Sequence, residues 1–106
     1  MGIFKKRLTV NEAINAAHTS ENAMLIDCRE KEDYKKGHVA GTKNIPIDKI
    51  TEDRILRRFP DKEKYFYIIG SYTCRTEKAV KAFKKLGYKN ATFGGYMEEH
   101  HGILVK

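Results

Sequence analysis

The chain has 106 residues, 41% of them hydrophobic, which fits one folded domain spanning residues 1–106 and argues against a disordered chain. Its 21 lysines and arginines exceed its 14 acidic residues, so the formal net charge is +7 at neutral pH. That excess suits an anionic substrate, an acidic partner or weak nucleic-acid binding. It does not discriminate among them, because a solvated lysine-rich surface carries the same charge.

The compartment predicted from the sequence is the cytoplasm. Two well-separated cysteines do not make a disulfide framework, which favours a reducing environment. No stretch approaches the ~20 apolar residues of a membrane span, so no membrane association is expected. Residues 1–7 lack the apolar core of a signal peptide, and Lys6 stands where a myristoylation signal after Gly2 requires Ser or Thr.

Hydrophobic periodicity and turn residues predict the elements in chain order. The first half holds a short strand at 8–10, a helix capped by Thr9 and Glu12 that runs to about residue 19, a buried strand at 23–28, a charged helix at 30–36 and an irregular or edge-strand stretch at 44–46. The second half holds a helix at 50–59, a strand at 65–69, an amphipathic helix at 76–86, a strand at 91–93 and a final helical turn at 96–100.

Strands that alternate with helices at this spacing predict an α/β fold. We expect a central, mostly parallel sheet of about five strands with helices on both faces. In such sheets the ligand site lies beyond the C-terminal ends of the strands. Segments 27–29 and 70–75 both follow strand ends, so the sequence predicts that they face one crevice.

The most informative segment is the loop between the strand at 65–69 and the helix that begins at Thr76. It reads Gly70-Ser71-Tyr72-Thr73-Cys74-Arg75. A loop that leads into a helix N-terminus points several backbone N–H groups at one place, where they bind anions and favour a thiolate over a thiol. The loop therefore combines a candidate nucleophile, Cys74, with a neighbouring cation, Arg75.

These residues resemble the rhodanese-like domain family. Residues 25–30, Leu-Ile-Asp-Cys-Arg-Glu, look like the family's Asp-x-Arg segment. Residues 37–41 and 44–46 look like its Gly-His-Ile-x-Gly-Ala-x-Asn-Ile-Pro stretch, and residues 79–88 with the glycines at 94–95 match its later half. The likeness spans residues 8–102.

The resemblance implies sulfur transfer. A loop cysteine takes the outer sulfur of thiosulfate or another donor, holds it as a persulfide, and passes it to a thiol or cyanide. The implied partners are a small anionic donor such as thiosulfate, or a protein persulfide, and a thiol acceptor. No nucleic acid and no cofactor are expected. No metal is expected either, because no cysteine–histidine spacing resembles a zinc site.

The alignment with the family can be drawn in two ways. In the first, the family's arginine falls on Arg75 and its nucleophile falls on Gly70, which has no side chain. In the second, Cys74-Arg75-Thr76 stands for the Cys-Arg-Ser opening of the family's loop, and the helix is then one turn short. Cys74 is the candidate sulfur carrier, and the expected anion-binding loop comprises Gly70, Ser71, Tyr72, Thr73, Arg75 and Thr76. If that loop is otherwise intact, Gly70→Cys should create or strengthen thiosulfate:cyanide activity.

Several roles remain open at this point. In the family, Asp27 and Arg29 resemble a buried structural pair that supports the crevice. Arg75 either binds the anionic donor or pairs with a carboxylate such as Asp27 or Glu77. Cys28 is either a buried inert thiol or the resolving partner of Cys74.

The alternative to a sulfurtransferase is a catalytically inactive module. It would bind a protein partner or an anion through the same crevice, and Gly70 would mark the lost nucleophile. Nucleic-acid binding has only the net charge in its favour. The reactivity of Cys74 separates the enzyme from the inactive module.

Overall fold

The computed structural model describes residues 8–106 and contains one sheet of four parallel strands, in the order β2-β1-β3-β4. The strands are β1 (Ala23–Asp27), β2 (Lys43–Asn44), β3 (Tyr65–Gly70) and β4 (Ala91–Tyr96). The helices are α1 (Val10–His18), α2 (Lys31–Lys36), α3 (Glu52–Arg58) and α4 (Thr76–Lys85), with 3₁₀ turns at Ile47–Lys49 and Met97–Glu99. The predicted α/β fold with a parallel sheet is confirmed. The assessments of a signal peptide and of myristoylation concern residues 1–7, which lie outside the described residues.

The sheet has four strands in place of about five, because the strand predicted at 8–10 is not formed. Thr9 is the N-cap of α1, and Val10 is its first residue. The Thr9 side chain accepts a hydrogen bond from the Glu12 N–H (3.2 Å), while the Thr9 N–H donates to the Glu12 carboxylate (2.8 Å). This capping box commits the segment to the helix start and not to a sheet edge.

Helices cover both faces of the sheet, as predicted. Alternate side chains along β1 point to opposite faces, so Leu25 belongs to one core cluster and Ile26 to the other. The first cluster lies under α1 and contains Val10, Ala17, Leu25, Val39 and Ile69. The second lies under α3 and α4 and contains Ile26, Cys28, Ile45, Ile55, Phe59, Phe66, Ile68, Ala79, Phe83, Tyr88 and Ala91.

Strand β4 runs three residues further than predicted and passes through Gly94 and Gly95. Gly95 has a φ of +101°, and a Cβ atom there would lie 2.6 Å from the backbone nitrogen of Val10. The glycine therefore allows the start of α1 to pack directly on β4. The extension brings the end of β4, and the 3₁₀ turn after it, to the same edge as the ends of β1 and β3.

The C-terminal segment packs on the domain through a single antiparallel bridge. Val105 and His38 exchange two backbone hydrogen bonds of 2.8 Å each. The bridge carries Leu104 over Gly37, beside the crevice at the ends of the strands. In the part of the chain that the structure describes, no helix is long and apolar enough to cross a membrane.

Candidate active site

The two segments singled out by the sequence meet at the C-terminal edge of the sheet. Strands β1 and β3 pair in parallel with Asp27 opposite Ile69, so Cys28 and Gly70 are the next residues along each strand. The Cys28 N–H donates to the Ile69 carbonyl (2.9 Å) and continues the ladder by one step. The end of β1 thus lies against the start of the loop that leads into α4.

The end of β1 is held by a buried ion pair between Asp27 and Arg29. The Arg29 guanidinium donates to both Asp27 oxygens at 2.8–3.1 Å, and the Arg29 N–H donates to the same carboxylate at 3.0 Å. Arg29 also donates to the Gly37 carbonyl (2.8 Å), while the Asn44 amide bridges the Asp27 and Arg29 carbonyls. The pair therefore joins three segments of backbone and supports the crevice.

The loop agrees with the first of the two alignments. Strand β3 ends at Gly70 and α4 begins at Thr76, so residues 71–75 form the connection between them. The second alignment would place Cys74 at the strand end, where the structure has the last part of the loop. On the first alignment, Gly70 falls on the position of the family's nucleophile.

The Thr76 hydroxyl and the Cys74 sulfur together occupy the space that a side chain at position 70 would take. A Cβ atom built on Gly70 would lie 2.9 Å from the Cys74 Sγ. The half-buried sulfur accepts a hydrogen bond from the Ser71 N–H (3.3 Å) and lies 3.8 Å from both the Cys28 Sγ and the Thr76 Oγ1. A displaced cysteine therefore places its sulfur beside the usual position of the nucleophile.

Hydrogen bonds make Cys74 the acidic thiol of the pair. The bond from Cys28 lowers the pKa of Cys74 to about 6, against the opposing effect of partial burial, and the Ser71 N–H adds to the lowering. The same bond to Cys74, together with burial, raises the pKa of Cys28. The two pKa shifts are opposite in direction, so Cys74 is the more acidic thiol of the pair.

The condition attached to the Gly70→Cys prediction, an otherwise intact loop, is not met in this structure. A Cβ atom at position 70 would lie 1.9 Å from the Thr76 Oγ1, and Thr76 is fully buried. The Cys74 sulfur occupies much of the remaining space. A second cysteine cannot enter without displacing both side chains, so that substitution does not test an intact loop.

The backbone of the loop is only partly available to an anion. The Tyr72 N–H donates to both carboxylate oxygens of Glu98 (3.1 Å each), and the Tyr72 hydroxyl donates to Glu99 (2.6 Å), which raises the pKa of Tyr72 to about 12. Within residues 8–106, the N–H groups of Thr73 and Arg75 have no hydrogen-bond acceptor. Two donors of the loop therefore remain for a ligand, and Glu98 occupies a third.

Arg75 is exposed, and its guanidinium forms no ion pair or hydrogen bond with any described residue. Asp27, one of its two predicted carboxylate partners, is held by Arg29. Of the two predicted partners, Asp27 is therefore paired with Arg29 and not with Arg75.

A shallow cavity of about 300 Å³ opens beside the loop, and the sequence did not predict all of its lining. It is lined by Arg29, Asp33, Ser71, Thr73, Met97, Glu98 and Leu104. Cys74 does not line this cavity. Its sulfur accepts a hydrogen bond from the N–H of Ser71, and Ser71 does line it. The strand-end rule could have identified Glu98, which follows β4, whereas nothing local indicates Leu104.

Two other features of the described residues lie outside this site. A larger groove of about 720 Å³ lies between α2 and α3, and no residue of the loop after β3 lines it. No group of three or more His, Cys, Asp or Glu side chains in residues 8–106 is arranged to hold a metal ion.

The fold and site define a class of protein: a parallel α/β domain that presents a thiolate in the loop between a strand and a helix N-terminus. The chain belongs to the rhodanese-like domain family, whose model matches residues 9–97. This agrees with the family resemblance read from the sequence.

Relatives and solved structures give the same family. The chain is similar to the putative sulfur carrier protein YrkF of Bacillus subtilis, with 31% identity over 81% of this chain and 40% of that protein. It is 25% identical to the uncharacterized protein YibN of Escherichia coli over 78% of this chain, and it spans 57% of YibN. A rhodanese-like domain protein from Staphylococcus aureus superposes with a TM-score of 0.74 at 27% identity, covering 96% of this chain and 99% of that one. The chain thus spans about half the length of the two curated relatives.

Proposed function

We propose that this protein is a sulfurtransferase that carries sulfane sulfur as a persulfide on Cys74. The donor is thiosulfate or another anionic sulfane compound, and the acceptor is a thiol or cyanide. The observation that carries the proposal is the Cys74 sulfur, which lies in the side-chain space of Gly70 with its pKa lowered to about 6. A lowered thiol pKa increases the share of thiolate, the form that acts as the nucleophile.

The first step is attack of the Cys74 thiolate on the outer sulfur of thiosulfate. A bond forms between the two sulfurs, and the sulfur–sulfur bond of thiosulfate breaks, so sulfite leaves with the electron pair. The N–H groups of Thr73 and Arg75 and the exposed Arg75 guanidinium supply positive potential for the dianion. Glu98 opposes binding, because its carboxylate already occupies the Tyr72 N–H.

The second step passes the sulfur to the acceptor. A thiolate or cyanide attacks the outer sulfur of the persulfide, and Cys74 leaves as a thiolate. A thiol of low pKa is a good leaving group in such exchanges, so the hydrogen bonds that activate Cys74 for the first step also favour the second. The acceptor thiol and the two free cysteines fit a reducing compartment such as the cytoplasm.

A single-turnover reaction with thiosulfate tests the proposal. Wild type is expected to release about one sulfite per protein, and Cys28→Ser to gain one sulfur atom by intact mass. Cys74→Ser should do neither. The rate of sulfite release should rise as the pH increases through about 6 and level off above it, because only the thiolate reacts.

The contrary result is equally clear. If wild type releases no sulfite and Cys28→Ser gains no sulfur, thiosulfate transfer is wrong. The inactive module that binds a partner or an anion through the same crevice is then favoured. Retained activity in Cys74→Ser would instead show that a different group carries the sulfur.

A further inference from the structure

We propose that Cys28 gives the protein a second activity: it reduces the Cys74 persulfide, releases sulfide and leaves a Cys28–Cys74 disulfide. The proposal rests on the proposed function for its first step, the loading of sulfur on Cys74. It adds a fate for that sulfur that requires no external acceptor. The protein would then convert sulfane sulfur to sulfide and draw its electrons from its own two thiols.

The geometry of the two sulfurs carries this inference. Their Sγ atoms lie 3.8 Å apart, although the residues are 46 positions apart in the chain. Strand pairing explains this proximity. Asp27 on β1 is paired with Ile69 on β3, so the next residues, Cys28 and Gly70, are also neighbours. The sulfur of Cys74, seated in the side-chain space of Gly70, therefore lies beside Cys28. A disulfide requires the two sulfurs to close from 3.8 Å to about 2.0 Å.

The burial of the two thiols decides which of them meets a donor. Cys28 is 2% exposed and belongs to the core cluster under α3 and α4, while Cys74 is half-buried. A donor therefore reaches the sulfur of Cys74 and not that of Cys28. In-line displacement requires the outer sulfur of the persulfide to lie on the side of the Cys74 sulfur opposite Cys28.

The step balances in bonds, electrons and protons. Cys28 attacks the Cys74 sulfur, a bond forms between the two cysteine sulfurs, and the sulfur–sulfur bond of the persulfide breaks. The outer sulfur leaves with the electron pair as sulfide and takes up the proton that Cys28 loses. The two cysteines are oxidised to a disulfide, and the sulfane sulfur is reduced to sulfide.

Regeneration of the dithiol needs a reductant of the thiol class. Two equivalents of a small thiol, or one of a dithiol, reopen the disulfide by exchange. The full cycle then consumes thiosulfate and thiols and yields sulfite, sulfide and an external disulfide. An attack by Cys28 on the outer sulfur would instead move that sulfur to Cys28 and release nothing.

The test is a single turnover without air and without any added thiol, using reduced full-length protein. One arm uses thiosulfate. The other uses a limiting amount of inorganic polysulfide, which loads an accessible thiolate without an anion site. From wild type we expect a mass lower by two hydrogen atoms in both arms, which marks the disulfide, and about one sulfide per protein in the thiosulfate arm. Polysulfide itself leaves sulfide when it gives up a sulfur atom, so its arm is read by mass alone. Cys28→Ser, whose hydroxyl can still donate to the Cys74 sulfur, should keep the added sulfur in both arms and release no sulfide from thiosulfate. Protein incubated without a donor should keep both thiols.

The outcomes separate this inference from the function on which it rests. If wild type keeps an added sulfur and releases no sulfide, the second activity is overturned and the sulfurtransferase stands. If the thiosulfate arm fails while polysulfide gives the disulfide in wild type and a retained sulfur atom in Cys28→Ser, thiosulfate transfer falls and the second activity stands. If neither donor adds sulfur to a Cys28 variant and wild type stays a dithiol, the sulfurtransferase function and the second activity are both overturned. The wild-type mass decides the matter even where a Cys28 variant does not fold.

Discussion

The ends of the adjacent strands β1 and β3 lie side by side and differ in how fully their polar groups are bonded. At the end of β1, Arg29 makes four hydrogen bonds to the buried Asp27 carboxylate. The Asn44 amide donates to the backbone carbonyls of the same two residues. After β3, the N–H groups of Thr73 and Arg75 have no acceptor among the described residues. The difference shows how one edge of a sheet provides both a rigid support and an open, reactive loop.

The largest expected effect comes from breaking the ion pair between Asp27 and Arg29 at the end of β1. Asp27→Asn removes the charge that faces Arg29, whose side chain is 12% exposed, and leaves only weaker attractions such as that of Asp33. Breaking a buried pair in this way should lower the free energy of unfolding by about 3 kcal/mol, measured by urea denaturation. Such a loss is a large part of the total stability of a small domain.

The chain provides a matched control for this prediction. Asp53 pairs with Arg57 on α3, and both side chains are more than three-quarters exposed. Asp53→Asn should change the stability by less than about 0.5 kcal/mol. If the two variants are equally stable, Asp27 and Arg29 do not support the crevice in the way described.

The next effect tests whether the loop depends on the missing side chain at Gly70. Gly70→Ala places a methyl group in contact with Thr76 and the Cys74 sulfur, so it should destabilise the domain by about 2 kcal/mol. It should also displace Cys74 and slow its alkylation by iodoacetamide near pH 7. Denaturation and thiol-reaction rates measure the two effects separately.

Gly37→Ala is the control for adding a methyl group at this end of the domain. Its Cβ would meet only the Leu104 side chain, at 3.3 Å, which is able to give way. Little change in stability and none in Cys74 reactivity are expected. A Gly70→Ala variant as stable and reactive as wild type would contradict the placement of the Cys74 sulfur.

The smallest effect concerns the carboxylate that occupies the loop. Glu98→Gln removes a negative charge from the Tyr72 N–H, which should favour an anionic donor. Because Glu98 is exposed, the KM for thiosulfate should fall only about threefold, with kcat unchanged. Glu99→Gln, which removes the same charge but leaves the Tyr72 N–H bonded to Glu98, is the control. Equal KM values for both variants would show that Glu98 does not compete with the donor.

Much of the fold followed from local patterns. The capping box at Thr9, the stop at Gly70 and the amphipathic helix from Thr76 are short-range signals, and each marks an element boundary in the structure. The strand predicted at 8–10 failed because the cap competes for the same residues. The extent of β4 was missed because its glycines looked like a strand end, whereas Gly95 is needed for the contact with α1.

The sequence by itself determined the α/β class, the edge at which the site lies and the loop that holds Cys74, because periodicity and turn residues act over a few positions. Only the tertiary structure decided what surrounds that cysteine. Four contacts around the site join residues that are separate in the chain. They are the approach of the Cys74 sulfur to Gly70, its contact with Cys28, the hydrogen bond from Tyr72 to Glu98 and the bridge from Val105 to His38. Such contacts depend on strand pairing and close packing, and no local pattern encodes them.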